Sequence, residues 1–360
     1  MIVSFERKDL YTIHNTNKQN EKLKVLVTGG TGYIGSHTVV ELQSSGFETV
    51  IIDNLSNSSA GVIDSIEKIS GIRPGFVKLD LCDAELLGKF FDNNKDIDSV
   101  IHFAAFKAVG ESVQDPLMYY RNNVTGMINL LNETVKRNIN NFVYSSSCTV
   151  YGDADKLPVS EESPIKKAES PYGFTKQIGE QMLYDLSKVS EMQTIILRYF
   201  NPTGAHDSSL IGELPVGIPN NLVPYITQTA IGKREMLTVN GNDYDTPDGT
   251  NIRDYIHVVD LAKAHVSSLK RLSEKKSNSS VEVFNLGTGN GNSVMEVIKT
   301  FEETTGVKLN YRIGPRRDGD VISIYSDTKK ANNVLGWKAE RDLKNMMLTS
   351  WNWEKALADL

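Results

Sequence analysis

Cysteine is almost missing from this sequence: Cys82 and Cys148 are the only two among 360 residues. Neither stands at a ligand-like spacing from the other or from a histidine, which excludes a disulfide framework and makes a reducing, cytoplasmic setting the expectation. Histidine is scarce as well, six residues with no pair at i,i+3 or i,i+4, so no metal site is expected. No apolar run approaches the length of a membrane span. Positive charge is not in surplus. The 39 Lys and Arg against 45 Asp and Glu leave a net charge of -6, and a pair such as Lys275 and Lys276 is as dense as the basic charge becomes. Nucleic acid is therefore not an expected partner, and an anionic small ligand has to be gripped by a few placed cations. Internal repeats and low-complexity tracts are absent too.

What remains is ordinary globular usage, 39% hydrophobic and 23% charged, in a chain long enough for two domains. Residues 1–22 are polar and lack a long apolar stretch, which reads as a soluble extension and not a signal peptide. From Leu23 short β-branched runs alternate with helical periodicity. Lys24–Thr28, Thr49–Asp53, Phe76–Leu79, Val100–Phe103, Phe142–Ser146 and Thr194–Leu197 read as strands, with helices over Pro116–Lys136 and Tyr172–Lys188. This rhythm predicts an α/β fold: a doubly wound parallel sheet of the Rossmann type over residues 23–200, covered on both faces. Residues 201–360 read as a smaller mixed α/β substrate domain, with a segment around 254–286 returning to the first. Leu222–Ile231 reads as a helical piece, order returns at Asp254–Leu272 and Val281–Leu286, and then Val294–Thr304 reads as a helix and Lys308–Ile313 as a strand.

Three glycines, Gly29, Gly32 and Gly35, directly follow the first strand and open a helix. That context suits a dinucleotide, whose pyrophosphate meets a tight glycine turn and a helix N-terminus. Asp53 ends the second strand, where a carboxylate hydrogen-bonds adenosine ribose hydroxyls and repels a 2′-phosphate. No Lys or Arg stands in the next dozen residues, so NAD is expected rather than NADP. Asp80, Phe103, Ala104, Ala105 and Lys107 fall at C-terminal ends of strands, the edge where ligands bind in open α/β sheets. Taken alone, Asp80 is equally well a turn residue and Lys107 a surface lysine.

The fifth strand runs into Ser145-Ser146-Ser147, and a helix beginning near Pro171 carries Tyr172 and Lys176 at i,i+4 on one face. A tyrosine is a poor base at neutral pH, with an ordinary pKa of about 10. An ammonium about 6 Å away would favour its phenolate by roughly 3 kcal/mol at an effective dielectric of about 20. Tyr172 is the expected base, Lys176 its helper, and Ser147 a hydroxyl to orient the substrate oxygen. Tyr151 reads as packing, and Cys148, with no histidine or asparagine to support it, as inert.

These motifs resemble the UDP-galactose 4-epimerase family of extended short-chain dehydrogenase/reductases, and so do Arg198-Tyr199-Phe200-Asn201-Pro202, Ile218-Pro219-Asn220-Asn221-Leu222, Arg253-Asp254-Tyr255 and Pro315-Arg316-Arg317 with Asp320. The likeness runs from Leu23 to Trp353. It implies NAD contacts for Tyr33, Ile34, Asn54, Asn57, Ser58, Leu81, Lys107, Asn122, Tyr199 and Pro202, besides Tyr172 and Lys176. It implies UDP-sugar contacts for Phe200, Asn201, Asn221, Leu222, Arg253, Arg317 and Asp320, with Ile324 bounding the hexose pocket. The implied activity is reversible epimerisation of UDP-galactose and UDP-glucose at carbon 4 within galactose metabolism, by a homodimer holding NAD tightly. Two positions depart from the family: Ala105 replaces a glycine and Cys148 an alanine. The nearest rival, a nucleotide-sugar 4,6-dehydratase, carries an Asp-Glu pair where this chain has Cys148 and Thr149. A non-catalytic NAD sensor shares the glycine loop but has usually lost the base.

Overall fold

The computed structural model describes residues 22–317 and 320–359; the polar extension expected over residues 1–22 therefore lies almost wholly outside the described residues. The first half runs β1 (Lys24–Thr28), α1 (Tyr33–Ser44), β2 (Glu48–Asp53), α2 (Gly61–Ser70), β3 (Gly75–Lys78), α3 (Ala84–Asn93) and β4 (Ser99–His102). It continues with α4 (Val109–Gln114), α5 (Pro116–Tyr119), α6 (Gly126–Lys136), β5 (Asn141–Ser147), α7 (Pro171–Leu186) and β6 (Gln193–Tyr199). Then come β7 (Asn201–Thr203), α8 (Leu222–Ala230), β8 (Leu237–Asn240), β9 (Ile252–His257), α9 (Val258–Ser273) and β10 (Val281–Leu286). Last are β11 (Gly291–Ser293), α10 (Val294–Thr305), β12 (Tyr311–Gly314), β13 (Ser323–Ile324) and α11 (Leu343–Ala358).

Seven strands form one parallel sheet in the order β10-β6-β5-β4-β1-β2-β3. Alternate side chains of each strand feed opposite faces. Val25 and Val27 pack with Val39 and Leu42 of α1 and Leu261 and Leu269 of α9. Leu26 faces the other way, onto Leu87, Phe90 and Phe91 of α3, Leu130 of α6 and Leu183 of α7. Burial on both faces is why these strands read as unbroken apolar runs. The sheet reverses its direction of growth between β1 and β4, which opens a crevice at their C-terminal ends. The α/β doubly wound expectation is the fold observed. β10 joins that sheet alongside β6, Val281 opposite Thr194 through Leu286 opposite Tyr199. Residues from α8, α10, α11, β8 and β9 build a second, smaller core around Ile226, Tyr255, Phe301 and Met347.

Three details depart from the sequence expectation. Pro116–Lys136 is not one α-helix, because a π-helical turn over Tyr120–Thr125 interrupts it. There the Asn123 side chain leaves the helix register to accept from Phe106 N, 2.8 Å, and donate to Phe106 O and Thr175 Oγ1, both 3.0 Å. The fourth strand stops at His102, since Phe103 N and Ala104 N both turn to the Thr28 carbonyl. The strand expected over Lys308–Ile313 is Tyr311–Gly314, paired with β8. Among the described residues no helix is long and apolar enough to cross a membrane.

Candidate functional site

The glycine turn between β1 and α1 lies in the crevice. Gly29 has φ +72°, donates to the Ile52 carbonyl at 2.8 Å, and has no room for a side chain: a Cβ would stand 2.7 Å from Ala104 N. At Gly35 a Cβ would stand 2.3 Å from the Gly29 carbonyl oxygen. Gly30, which spacing alone passed over, is equally constrained, because a Cβ there would meet both Ile51 branches at 2.8 Å. The Gly29-Gly30 doublet was its only sequence signal. α1 starts at Gly32 with no side-chain cap and no acidic residue in its first turn, leaving amide donors and a positive helix end free to meet an anion. This cradle fits a dinucleotide pyrophosphate.

Asp53 is buried at the end of β2. Its Oδ1 accepts from Leu55 N at 2.9 Å and Ser58 Oγ at 3.1 Å, its Oδ2 from Thr31 N at 3.2 Å, so it joins the glycine turn to the β2 turn. Asn54 donates to Asp80 Oδ2 at 3.2 Å. Burial pushes the Asp80 carboxyl up, but hydrogen bonds from Cys82 and Asn54 outweigh it and hold the group below its ordinary value. Leu81 is buried, and Ile34, Phe103, Ala104, Ala105, Asn122 and Pro202 are half-buried. Asn57 is exposed at the outer edge of this group. Tyr33 donates to the Gly204 carbonyl at 2.6 Å, and Lys107 pairs with Glu213 at 2.9 Å.

Beyond the crevice, Ser170 caps α7 and Pro171 fills its first position, which fixes where the helix face starts. Tyr172, Lys176 and Glu180 then recur every four residues against the end of β5. Lys176 Nζ donates to the Ser145 carbonyl at 2.6 Å, 6.0 Å from the Tyr172 ring centroid and 5.1 Å from that of Tyr144. Glu180 accepts from Ser146 Oγ at 2.5 Å and pairs bidentately with Arg198, at 2.9 and 2.6 Å. Arg198 continues to Tyr151 OH at 3.0 Å, and Tyr151 donates to Asn285 at 2.6 Å. Tyr151 is thus a buried polar link and not mere packing. Tyr199 OH donates to Ser145 Oγ. Glu180 lay within reach of the sequence, four residues past Lys176 on the same face.

Burial pushes the Tyr172 phenol up to about 12, the nearby Ser147 hydroxyl pulling the other way and Cys148 adding to the rise. Burial also pulls the Lys176 ammonium down to about 7, against the charge of Glu180. The phenol depression expected from the i,i+4 spacing is therefore overturned in the protein alone. Lys176 is buried at 4% exposure and Tyr172 half-buried, and Lys176 has lost much of its own charge near neutrality. Burial pushes the Cys148 thiol up to about 12, so it carries no thiolate at neutral pH.

On the other side of the site, Asn201–Thr203 pair in parallel with Tyr255–His257 of β9. Arg253 of β9 lies opposite Ile324 of β13. Asp320 is almost buried and accepts from Arg317 at 2.6 Å and Arg253 at 3.4 Å, whereas Arg317 is itself mostly exposed. Asp320 thus takes both arginines, and Arg253 and Asp254 act on the Cys148 thiol with opposite sign. Phe200, Ile324 and Cys148 share an apolar cluster with Val150, Tyr151 and Val159. Asn221 precedes α8 and donates to Glu213 Oε1 at 2.7 Å; Leu222 is half-buried beside it. Glu213, a single acid in an irregular stretch, had no sequence signal.

The chain matches the family described as GDP-mannose 4,6 dehydratase over residues 26–349. It is 50% identical to the UDP-glucose 4-epimerase of Haemophilus influenzae across 92% of this chain and 98% of that protein. A crystal structure of the Stenotrophomonas maltophila UDP-glucose-4-epimerase, with bound NAD and formylated UDP-arabinopyranose, superposes with a TM-score of 0.90 at 47% identity, covering 94% of this chain and 99% of that one. The Bifidobacterium longum enzyme in complex with NAD+ and UDP gives 0.89 at 45% identity, over 93% and 99%. Similarity of this depth spans both the crevice and the arginine side, and the chain belongs to the UDP-glucose 4-epimerase family of extended short-chain dehydrogenase/reductases.

Proposed function

We propose that this protein interconverts UDP-galactose and UDP-glucose at carbon 4 with NAD held in the glycine crevice. The observation that carries this reading is the placement of Tyr172, Lys176 and Ser147 at the end of β5, in a chain whose similarity to 4-epimerases covers both ligand sides. When bound, NAD supplies a reversible hydride acceptor, so the cycle leaves no net oxidation. The Gly29–Gly35 turn and the α1 N-terminus hold its pyrophosphate, and Asp53 its adenosine ribose, a carboxylate that disfavours a 2′-phosphate. With the positive charge of the oxidised cofactor bound to favour its phenolate, Tyr172 would take the proton of the 4-hydroxyl and later return it to the other epimer, while Ser147 orients that oxygen. Lys176, fixed by the Ser145 carbonyl and 6.0 Å from the Tyr172 ring centroid, would use its remaining N–H groups to hold the cofactor ribose. Arg253 and Arg317 grip the UDP pyrophosphate, with Asn221, Leu222, Phe200 and Asn201 toward the nucleoside and sugar.

The family model's description names a dehydratase, a reading that needs an acid to expel the 6-hydroxyl. After Ser147 stand Cys148 and Thr149, neither a carboxylate, and burial holds the Cys148 thiol at about 12. Epimerisation needs no such acid. A homodimer built from helices accompanies this reading, supported by Val113, Leu117 and Phe174 exposed on α4, α5 and α7. A cytoplasmic setting goes with two unpaired cysteines. UDP-galactose deuterated at carbon 4 tests the chemistry. Deuterium found at carbon 4 of the UDP-glucose formed is the expected result, and exchange of the label into solvent contradicts it.

A further inference from the structure

Glu213 sits in the irregular stretch between Ala205 and Asn221, yet its side chain is only 12% exposed. One oxygen, Oε1, accepts from Lys107 Nζ at 2.9 Å and from Asn221 Nδ2 at 2.7 Å. Its backbone is fixed from a third direction, because Trp353 of α11 donates its indole N–H to the Glu213 carbonyl at 2.9 Å. The preceding Gly212 lies so close under that indole that a Cβ would stand 2.5 Å from the ring. Tyr33 of α1 completes the group: its phenol is pushed well up, by burial first and by the Glu213 charge second, and Lys107 Nζ lies 6.0 Å from its ring centroid. Elements from both halves of the chain thus converge on one carboxylate. Tyr33 and Lys107 belong to the dinucleotide side, Asn221 to the nucleotide-sugar side. A surface acid paired with a mobile lysine contributes little. An acid whose backbone is clamped by a tryptophan can instead dictate where two ligand-facing side chains stand.

We propose that Glu213 is a positioning residue that locks Lys107 and Asn221 to each other, so that cofactor and nucleotide sugar are held by one connected unit. This rests on the reading above that Lys107 serves NAD and Asn221 the UDP-sugar. Removing the carboxylate leaves Lys107 without its counter-charge and Asn221 without its acceptor. Glu213 has no contact with Tyr172, Lys176 or Ser147 in the hydrogen-bond network around them, so proton transfer itself is spared. The signature is a split between binding and turnover.

The test uses the NAD-loaded enzyme and four variants, E213A, E213Q, K107M and N221A, with kcat and KM for UDP-galactose measured at saturating NAD. NAD retained after repeated gel filtration is measured alongside. In E213A, loss of two hydrogen bonds should raise KM about 10-fold and deplete bound NAD, with kcat within about 2-fold of the parent. E213Q keeps an acceptor for Asn221 but no charge for Lys107, so NAD retention should fall while KM stays within about 2-fold. Should E213A not fold, E213Q carries the test on that same contrast. Unchanged KM and retention in the Glu213 variants, or a fall in kcat at unchanged KM, overturns the proposal. Unchanged NAD retention in K107M, or unchanged KM in N221A, overturns it through its premise and faults the site reading, whatever the Glu213 variants do.

Discussion

Lys176 Nζ donates to the carbonyl oxygen of Ser145 at 2.6 Å, which pins the face of α7 that carries Tyr172 to the strand that ends in Ser147. The residue after Ser145 is tied in the same way, Ser146 Oγ donating to Glu180 at 2.5 Å. Tyr172, one turn before Lys176, is thereby held opposite Ser147. The Tyr172 and Lys176 face of α7 is positioned by main-chain and hydroxyl contacts of three consecutive serines.

Tyr172→Phe removes a proton-transfer group and almost no contact area. Turnover should fall about 10²–10⁴-fold with UDP affinity nearly unchanged, as read by steady-state rates and calorimetric titration of UDP. Turnover within about 3-fold of the parent would remove Tyr172 from the role of base.

Lys176 titrates near 7 in the folded protein, lowered by burial against the charge of Glu180, and at its ordinary 10.5 when unfolded. Between those values the unfolded chain binds more protons, so this residue makes stability rise with pH, and its full penalty is present below about 7. Lys176→Met should therefore raise the Tm of the cofactor-free protein at pH 7. It should also flatten the rise in stability from pH 7 to 9.5, a slope worth up to about 1.4 kcal/mol per pH unit. Thermal melts across that range check it; an undiminished slope in the variant would contradict the burial argument. The rate of this variant should be severely reduced.

The Glu180–Arg198 pair is buried on both sides, at 2% and 3% exposure. Arg198→Met leaves a carboxylate uncompensated and should cost about 3–5 kcal/mol by urea unfolding. The double variant Glu180→Met, Arg198→Met removes both charges and should recover most of that loss. Equal destabilisation of single and double variants would show that shape, and not charge, is what the pair contributes.

Ile324 is 5% exposed and packs with Phe200 and Cys148, so it serves the apolar cluster as well as any pocket wall. Overpacking a formed pocket costs on the order of 1–3 kcal/mol, about 5- to 150-fold in a rate or binding constant. UDP-galactose should accordingly be a good substrate and UDP-N-acetylgalactosamine a poor one. Ile324→Gly should raise kcat/KM for the N-acetylated sugar more than it alters that for UDP-galactose, at some expense in stability. Comparable efficiency on both sugars in the parent enzyme would place the gate elsewhere.

The parallel sheet could be read from the sequence because its strands are buried on both faces, and the glycine crevice because backbone contact forbids side chains there. Tyr172 and Lys176 were found by their helical spacing together with their place after the Ser-rich fifth strand of a dinucleotide fold. Their electrostatics were not, because spacing carries no information on burial, and burial reverses the sign expected for the phenol. The π-turn at Tyr120–Thr125 escaped because an asparagine drawn into a long-range hydrogen bond leaves no periodic trace. Glu213 escaped for a related reason: its partners Lys107 and Trp353 come from distant segments, and Asn221 from the far end of its own irregular stretch.

The most direct test of the central claim starts the purified protein from UDP-galactose and, separately, from UDP-glucose, and follows both sugars by chromatography together with the cofactor's absorbance. The account predicts that both reactions converge on one equilibrium mixture, with NAD released only on denaturation and no accumulation of reduced cofactor. A 4-keto-6-deoxy product, a stoichiometric build-up of reduced cofactor, or no conversion by NAD-loaded protein would contradict it.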